Sequence, residues 1–218
     1  MGEKQCPEIT IACPYGAARR VRSILIEDVE VRRTSAEALR IAHIKSGDVL
    51  TAGEIHRLLD ESEPEAAMNR SLRLLGHRER SRMELDARLD EDGYPASVAA
   101  DVLDRLTGYG YLDDGRFAMD LVRTKYAAGW GRRRIERALA DKGVDPAACG
   151  AILDEYVPLE DEDLRAVNLI ARLDLTTSAA QAKALRKLVS KGFSYDVARS
   201  AVQQVSSQRL QEEEEYDC

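Results

Sequence analysis

Apolar positions recur along most of this chain at the three-and-four spacing of one helix face, and the spacing itself repeats as a block. Leu85, Leu89, Gly93, Val98, Val102 and Leu106 fall on Ile135, Leu139, Gly143, Ala148, Ile152 and Tyr156 after a shift of 50 residues. A further shift of 49 reaches Ala184, Leu188, Gly192, Val197, Ala201 and Val205. Six positions in register three times over predict three tandem three-helix units, each burying its apolar stripe against a neighbour. The expected helices are 65–77, 81–92 and 95–108, then 113–128, 131–142 and 145–157, then 160–173, 178–191 and 194–208. The fold class expected is mainly α, an elongated curved rod of such repeats.

Local signals mark the ends of these helices. Ser81-x-x-Glu84 reads as a capping box, Asp113 as an acceptor for free amides, and Asp145-Pro146 as an N-cap before a proline in the first helical position. Gly93, Gly143 and Gly192 each follow a second helix, where a left-handed residue is cheapest as glycine, and each precedes an apolar residue.

Upstream the period changes to two. Val21 to Ile26 and Val29 to Val31 flank Glu27-Asp28 as a β-hairpin with an acidic turn. Ser35 opens a helix through Ile44, Gly47-Asp48 stops it, and Thr51-x-x-Glu54 caps a second helix through Leu59, with Ser62-Glu63-Pro64 starting the next. Ile9 to Ala12 allows a single strand in an otherwise loosely ordered start. The organisation read is a flexible segment 1–19, a β-hairpin and two-helix module 20–62, three-helix units 63–110, 111–158 and 159–208, and an acidic disordered tail 209–218.

Composition narrows the function classes. Aromatic residues are only 5% of the 218 positions and charged residues 33%, a profile that favours exposed helices. No apolar run approaches the ~18 to 20 residues that span a bilayer, and the first residues lack a signal-peptide pattern, so the expectation is a cytoplasmic protein with no membrane association. The four cysteines, Cys6, Cys13, Cys149 and Cys218, form no paired metal-ligand spacing, and Cys149 falls on an apolar helix face. A net charge of -7 argues against a surface devoted to phosphate neutralisation, while leaving room for a local basic site.

Nucleophile motifs, phosphate-binding glycine loops and metal signatures are missing from the sequence, and His43, His56 and His77 have no convergent partners. The expectation is a non-enzyme with no catalytic residue, cofactor or metal. The outstanding feature is a cation cluster. Between Arg116 and Arg137 seven cations (Arg116, Arg123, Lys125, Arg132, Arg133, Arg134, Arg137) face two acids (Asp120, Glu136), an excess of +5. Arg133 and Arg137 share a helix face with Arg134 beside them, while Ile135 and Leu139 point to the core. Arg132 to Arg134 at a helix N-terminus oppose the macrodipole, a placement that suggests use in recognition. Trp130, the one tryptophan, sits between Gly129 and Gly131, either as a packed corner or as an exposed anchor. Arg80 and Arg82, with Arg78, form a weaker cluster in the first unit, and Lys183, Arg186, Lys187 and Lys191 recur in the third.

Arg78-x-x-Ser81-x-x-Glu84-Leu85-x-x-x-Leu89, Gly110-Tyr-Leu-Asp-Asp114-x-x-Phe117-Ala118, Val122-Arg123 and Gly129-x-Gly131-x-x-Arg134-Ile135-x-x-x-Leu139-x-x-x-Gly143-Val144 together resemble the RecX regulatory proteins of bacteria. The likeness runs from about Arg20 to Val205 and is most specific in the middle unit. It implies a regulator that binds the groove of the RecA recombinase filament and lowers its ATPase, strand-exchange and co-protease activities, with effects on DNA repair and the SOS response. The expected partner surface comprises Arg123, Lys125, Trp130, Arg132, Arg133, Arg134 and Arg137, with Arg80 and Arg82. It would meet RecA and single-stranded DNA, with the chain a monomer. The alternative is a helical module that binds DNA without RecA.

Overall fold

The computed structural model describes residues 8–14, 16 and 19–216, with side chains described for all of these except 160 and 209–216. Ten α-helices and a small antiparallel sheet occupy the described residues, as a mainly helical chain with a sheet at its start. The chain divides into two compact units, one up to Asp113 and one from Asp114.

The first unit opens on β1 (Ile9–Ala12), β2 (Val21–Ile26) and β3 (Val29–Ser35), ordered β1-β2-β3. Glu27 and Asp28 make the two-residue turn, both with positive φ (49° and 65°), the backbone twist that a tight hairpin requires. The expected lone strand Ile9–Ala12 is therefore paired, with Ile9 opposite Ile26 and its side chain buried. Residues 1–7, 15, 17 and 18 of the segment read as flexible lie outside the described residues.

Helix α1 (Ala36–Ile41) is capped by Ser35, whose Oγ accepts from the Ala38 amide at 3.0 Å. It ends three residues short of the expected Ile44. His43 turns left-handed at φ 56°, and the Ile44 amide bonds back to the Leu39 carbonyl at 3.0 Å, which drops Ile44 into the core.

Helix α2 (Ala52–Leu75) begins at the Thr51 capping box and runs straight through Pro64. The break expected between Leu59 and Glu65 is absent. A proline in a helix interior costs about 3 kcal/mol, and packing offsets it. Ile55, Leu59, Ser62, Glu63, Ala66, Ala67, Ser71 and Leu74 form one unbroken buried stripe across the proline. Glu63 is 0% exposed, and its carboxylate accepts from Arg32 Nη2 at 2.6 Å and from the Thr34 hydroxyl at 2.7 Å, tying the helix to β3. Helices α3 (Arg82–Glu91) and α4 (Ala96–Gly108) complete this unit around a single core from Ile9 to Leu112.

The second unit holds α5 (Asp114–Ala127), α6 (Arg132–Ala140) and α7 (Pro146–Tyr156), then α8 (Glu162–Ile170), α9 (Ser178–Lys191) and α10 (Tyr195–Tyr216). Phe117, Val122, Ile135, Leu139, Cys149 and Leu153 form the core of the first trio, and Ile170, Ala184, Leu188, Phe193, Ala201 and Val205 that of the second. The register read from the sequence is visible in the hydrogen bonds. After the second helix of each trio a glycine turns left-handed (Gly93 86°, Gly143 70°, Gly192 97°). The next amide bonds back five residues: Tyr94 to Leu89, Val144 to Leu139 and Phe193 to Leu188, at 3.1, 3.2 and 3.2 Å. Tyr94, Val144 and Phe193 are all buried.

The backbone of α10 stays helical through Tyr216, so the stretch 209–216 expected to be disordered continues a helix already held by Val202 and Val205. Glutamine, leucine and glutamate extend an existing helix at little cost, because nucleation has been met by the packed turns before them. Asp217 and Cys218 lie outside the described residues.

Because Glu63 is buried and multiply bonded, Glu63→Ala leaves Arg32 of β3 with only the exposed Asp60 as an anion on α2. Urea denaturation should register a loss of about 3 kcal/mol. An unchanged midpoint would show that α2 crosses Pro64 for another reason.

Candidate functional site

The cation cluster lies in the second unit, and its side chains fall into two groups with different work. Trp130 is placed by α5: Gly129 turns left-handed at φ 74° and the Trp130 amide bonds back to the Lys125 carbonyl at 3.0 Å. The indole ring carries the Arg134 guanidinium 3.8 Å from its centroid and the Lys125 ammonium at 4.7 Å. Each is a cation over an aromatic quadrupole. Trp130 is thus a half-buried corner sheathed in cations.

The next residue brings two backbones into contact. Gly131 donates its amide to the Lys191 carbonyl at 2.8 Å, and a Cβ on Gly131 would stand 2.6 Å from the Gly192 carbonyl carbon and the Phe193 nitrogen. Lys191 returns the contact through Nζ, which donates to the Ala128 carbonyl at 2.8 Å. Arg134 Nη1 donates to the Ser190 carbonyl at 3.0 Å. The last carbonyls of α5 and α9 lack helical partners and are met here by cations and an amide. Arg165 on α8 does the same for α5, donating Nη2 to the Tyr126 and Trp130 carbonyls at 3.2 and 3.0 Å, with its guanidinium 3.5 Å from the Tyr126 ring centroid. Burial lowers the Arg165 pKa from its ordinary value, and its Nη1 meets no acceptor among the described residues.

Arg132 is drawn inward rather than presented. Nη1 donates to the Val157 carbonyl at 2.9 Å and Nη2 pairs with Asp154 at 2.5 Å, which clamps α6 to α7. Its backbone amide donates to Glu162 Oε1 at 2.6 Å, and Glu162 is 4% exposed. The N-cap of α6 is Gly131, without a side-chain cap, so Glu162 supplies the anion that this helix start lacks. The three arginines therefore do not stand against an unopposed dipole as the sequence alone suggested. Arg123 is also engaged, with Nη2 donating to the Tyr156 hydroxyl at 3.0 Å.

In the first unit Arg82 pairs with Asp104 at 2.7 Å, the counterpart of Arg132–Asp154 one repeat earlier, both 22 residues apart. The third repeat carries Gln181 and Gln203 at these positions. Arg80 donates Nε to the Leu74 carbonyl at 3.3 Å, and burial beside Arg78 lowers its pKa. These two lie in the other unit from the cluster.

Arg133 and Arg137 remain. Both are exposed on α6, and among the described residues neither side chain has a hydrogen bond or ion pair. They border a groove of about 510 Å³ between α6 and the end of α9, lined also by Trp130, Arg134, Asp141, Val189 and Phe193. The groove wall on α9 was missed by sequence reading, as were Arg165 and Glu162. The available signal was Glu162 itself, a carboxylate in phase with the buried Ala166 and Ile170. The described residues contain no cluster of three or more metal-ligating side chains, and His43, His56 and His77 are all on the surface.

Two substitutions test this division. Gly131→Ala, at an ordinary φ of -78°, should lower stability by about 1 to 3 kcal/mol through overpacking. Gly53→Ala, with nothing within 4 Å, should not lower it. Arg132→Ala should cost about 1 to 3 kcal/mol by thermal melting, whereas Arg133→Ala and Arg137→Ala should each stay within about 0.5 kcal/mol. Equal losses at Arg132 and Arg133 would contradict the separation of structural from presented arginines.

Family models place two segments of this chain. The first three-helix domain of RecX matches residues 67–106, and the second three-helix domain of RecX matches residues 113–151. The regulatory protein RecX of Mycolicibacterium smegmatis is 38% identical over 149 residues, covering 63% of this chain and 78% of that protein. The regulatory protein RecX of Bacillus subtilis is 30% identical over 189 residues, covering 84% of this chain and 71% of that protein. A crystal structure of regulatory protein RecX superposes with a TM-score of 0.57 at 21% identity, over 87% of this chain and 96% of that one. That of RecX from Lactobacillus salivarius gives 0.55 at 24% identity, over 66% and 96%; these two likenesses speak to the fold. With its repeat register, its caps and its matched domains, this chain belongs to the RecX family of regulatory proteins.

Proposed function

We propose that this chain regulates the RecA recombinase by binding its filament, lowering ATP hydrolysis, strand exchange and co-protease activity and thereby acting on DNA repair and the SOS response. It does so as a cytoplasmic monomer without chemistry of its own. Family membership supports the regulatory role. The observation that carries the choice of surface is the pair Arg133 and Arg137, exposed and unengaged in a chain of net charge -7. Cations left out of internal pairs are available to an acidic partner surface or to phosphate, and such complementarity directs association. Arg123, Lys125, Arg134 and Trp130 hold the frame behind this pair. Arg132, Arg80 and Arg82 have internal partners and contribute to the surface chiefly through stability.

The test is RecA ATPase on single-stranded DNA with the chain titrated in. Inhibition is expected at substoichiometric amounts, and Arg133→Ala with Arg137→Ala should weaken it about tenfold or more, as loss of charge-assisted contacts does. Full inhibition by the double variant would move the contact elsewhere. Tight DNA binding without RecA, with a log-log salt slope of roughly -0.7 per phosphate contacted, would instead support a RecA-independent DNA-binding module.

A further inference from the structure

The groove between α6 and the end of α9 is bordered by guanidinium groups and lined in part by apolar side chains. Arg133 and Arg137 stand one helical turn apart on its rim, with no partner among the described residues. Ala138, Val189 and the half-buried Trp130 supply the apolar surface, and Val189 is 45% exposed. Asp141 is the one carboxylate on the lining.

We infer that this groove receives an acidic and apolar peptide segment of a protein partner, with a carboxylate held between Arg133 and Arg137 and an aliphatic side chain against Val189 and Ala138. The inference rests on the regulatory reading above and deepens it, by assigning protein rather than nucleic acid to this part of the surface.

Charge complementarity commits the site to an anion, since three arginines on the lining outnumber the single Asp141. The aromatic groups decide which anion. Single strands gain binding energy by stacking bases on open aromatic faces. Here the Trp130 ring already carries Arg134 at 3.8 Å and Lys125 at 4.7 Å, and Phe193 is 2% exposed. A base would have to displace a cation that also holds the Ser190 carbonyl. An aliphatic side chain needs no such displacement, because Val189 and Ala138 lie ready for it. Asp141 points the same way: it opposes a continuous run of phosphates but leaves room for a single carboxylate one turn away at Arg137. Guanidinium groups also fork a carboxylate with two parallel bonds, a geometry that a lysine cannot reproduce.

Trp130 is the only tryptophan in the chain, so its emission reports occupancy of the groove directly. The probes are an acetylated peptide of sequence Glu-Glu-Leu-Asp-Glu-Leu, its neutral analogue with glutamine and asparagine for the acids, and an oligothymidylate of similar length. Each is titrated into the full chain at low salt, where surface charge is least screened. The acidic peptide should shift Trp130 emission and the neutral analogue should not. Affinity should fall about tenfold or more in Arg133→Ala with Arg137→Ala and only partly recover in Arg133→Lys with Arg137→Lys. Val189→Asp, at an exposed position, should block the peptide while the fold, followed by circular dichroism, is retained.

The inference is overturned if the oligothymidylate shifts the emission and the peptide does not, or if the double alanine variant binds the peptide as the parent does. It is also overturned if emission changes with protein concentration alone, which would make the occupant a second copy. Loss of RecA inhibition in the double variant without peptide binding would sink this inference and leave the regulatory reading standing. Peptide binding without any effect on RecA would do the reverse.

Discussion

Every helix that stops inside a folded chain leaves carbonyl groups without partners, and the way these groups are met governs most of the local structure in this protein. The recurrent solution is a left-handed glycine followed by an amide that bonds back to the helix, seen after α3, α6 and α9. That turn also delivers an apolar residue to the core, so one backbone device both ends a helix and begins the packing of the next. His43 performs the same turn at the end of α1, with the steric cost that a side chain carries there.

In the second unit the same demand recruits side chains. The ends of α5 and α9 lie against each other through Gly131 and Gly192, and their outer carbonyls are closed by Lys191, Arg134 and Arg165. Within the cluster that looks like a recognition patch by composition, Arg134 and Arg132 also close helix ends, at the Ser190 and Val157 carbonyls, while Arg123 and Lys125 are held by Tyr156 and Trp130. Two arginines, Arg133 and Arg137, are left without internal side-chain partners among the described residues after those needs are met. Electrostatics here works by subtraction.

The sequence disclosed what short-range physics controls. Ser35, Thr51, Ser81 and Asp145 cap the helices they precede, and the shifts of 50 and 49 residues located Leu139, Leu188 and their equivalents in the cores. It failed where a distant residue overrode a local signal. Ser62-Glu63-Pro64 has the composition of a helix start, but Glu63 is spoken for by Arg32 and Thr34 from the sheet, which no local window contains. Arg132 and Arg133 are adjacent and chemically identical, yet Asp154 and Glu162 claim the first and leave the second. The groove itself depended on a contact between residues about sixty positions apart. Neither could be read without knowing which turns face each other.

Glu162 carries a consequence for how freely such repeats can be exchanged. The units share a register, which invites the view that they are interchangeable modules added or removed at will. Yet the start of α6 is completed by a carboxylate from α8, in the following repeat. The middle unit borrows a finished end from its successor, so a shuffled or shortened array would expose the unmet amides of α6 beside three arginines. Chain order is thereby written into the chemistry of a single buried acid, and any recombination between arrays must carry that acid along with its helix.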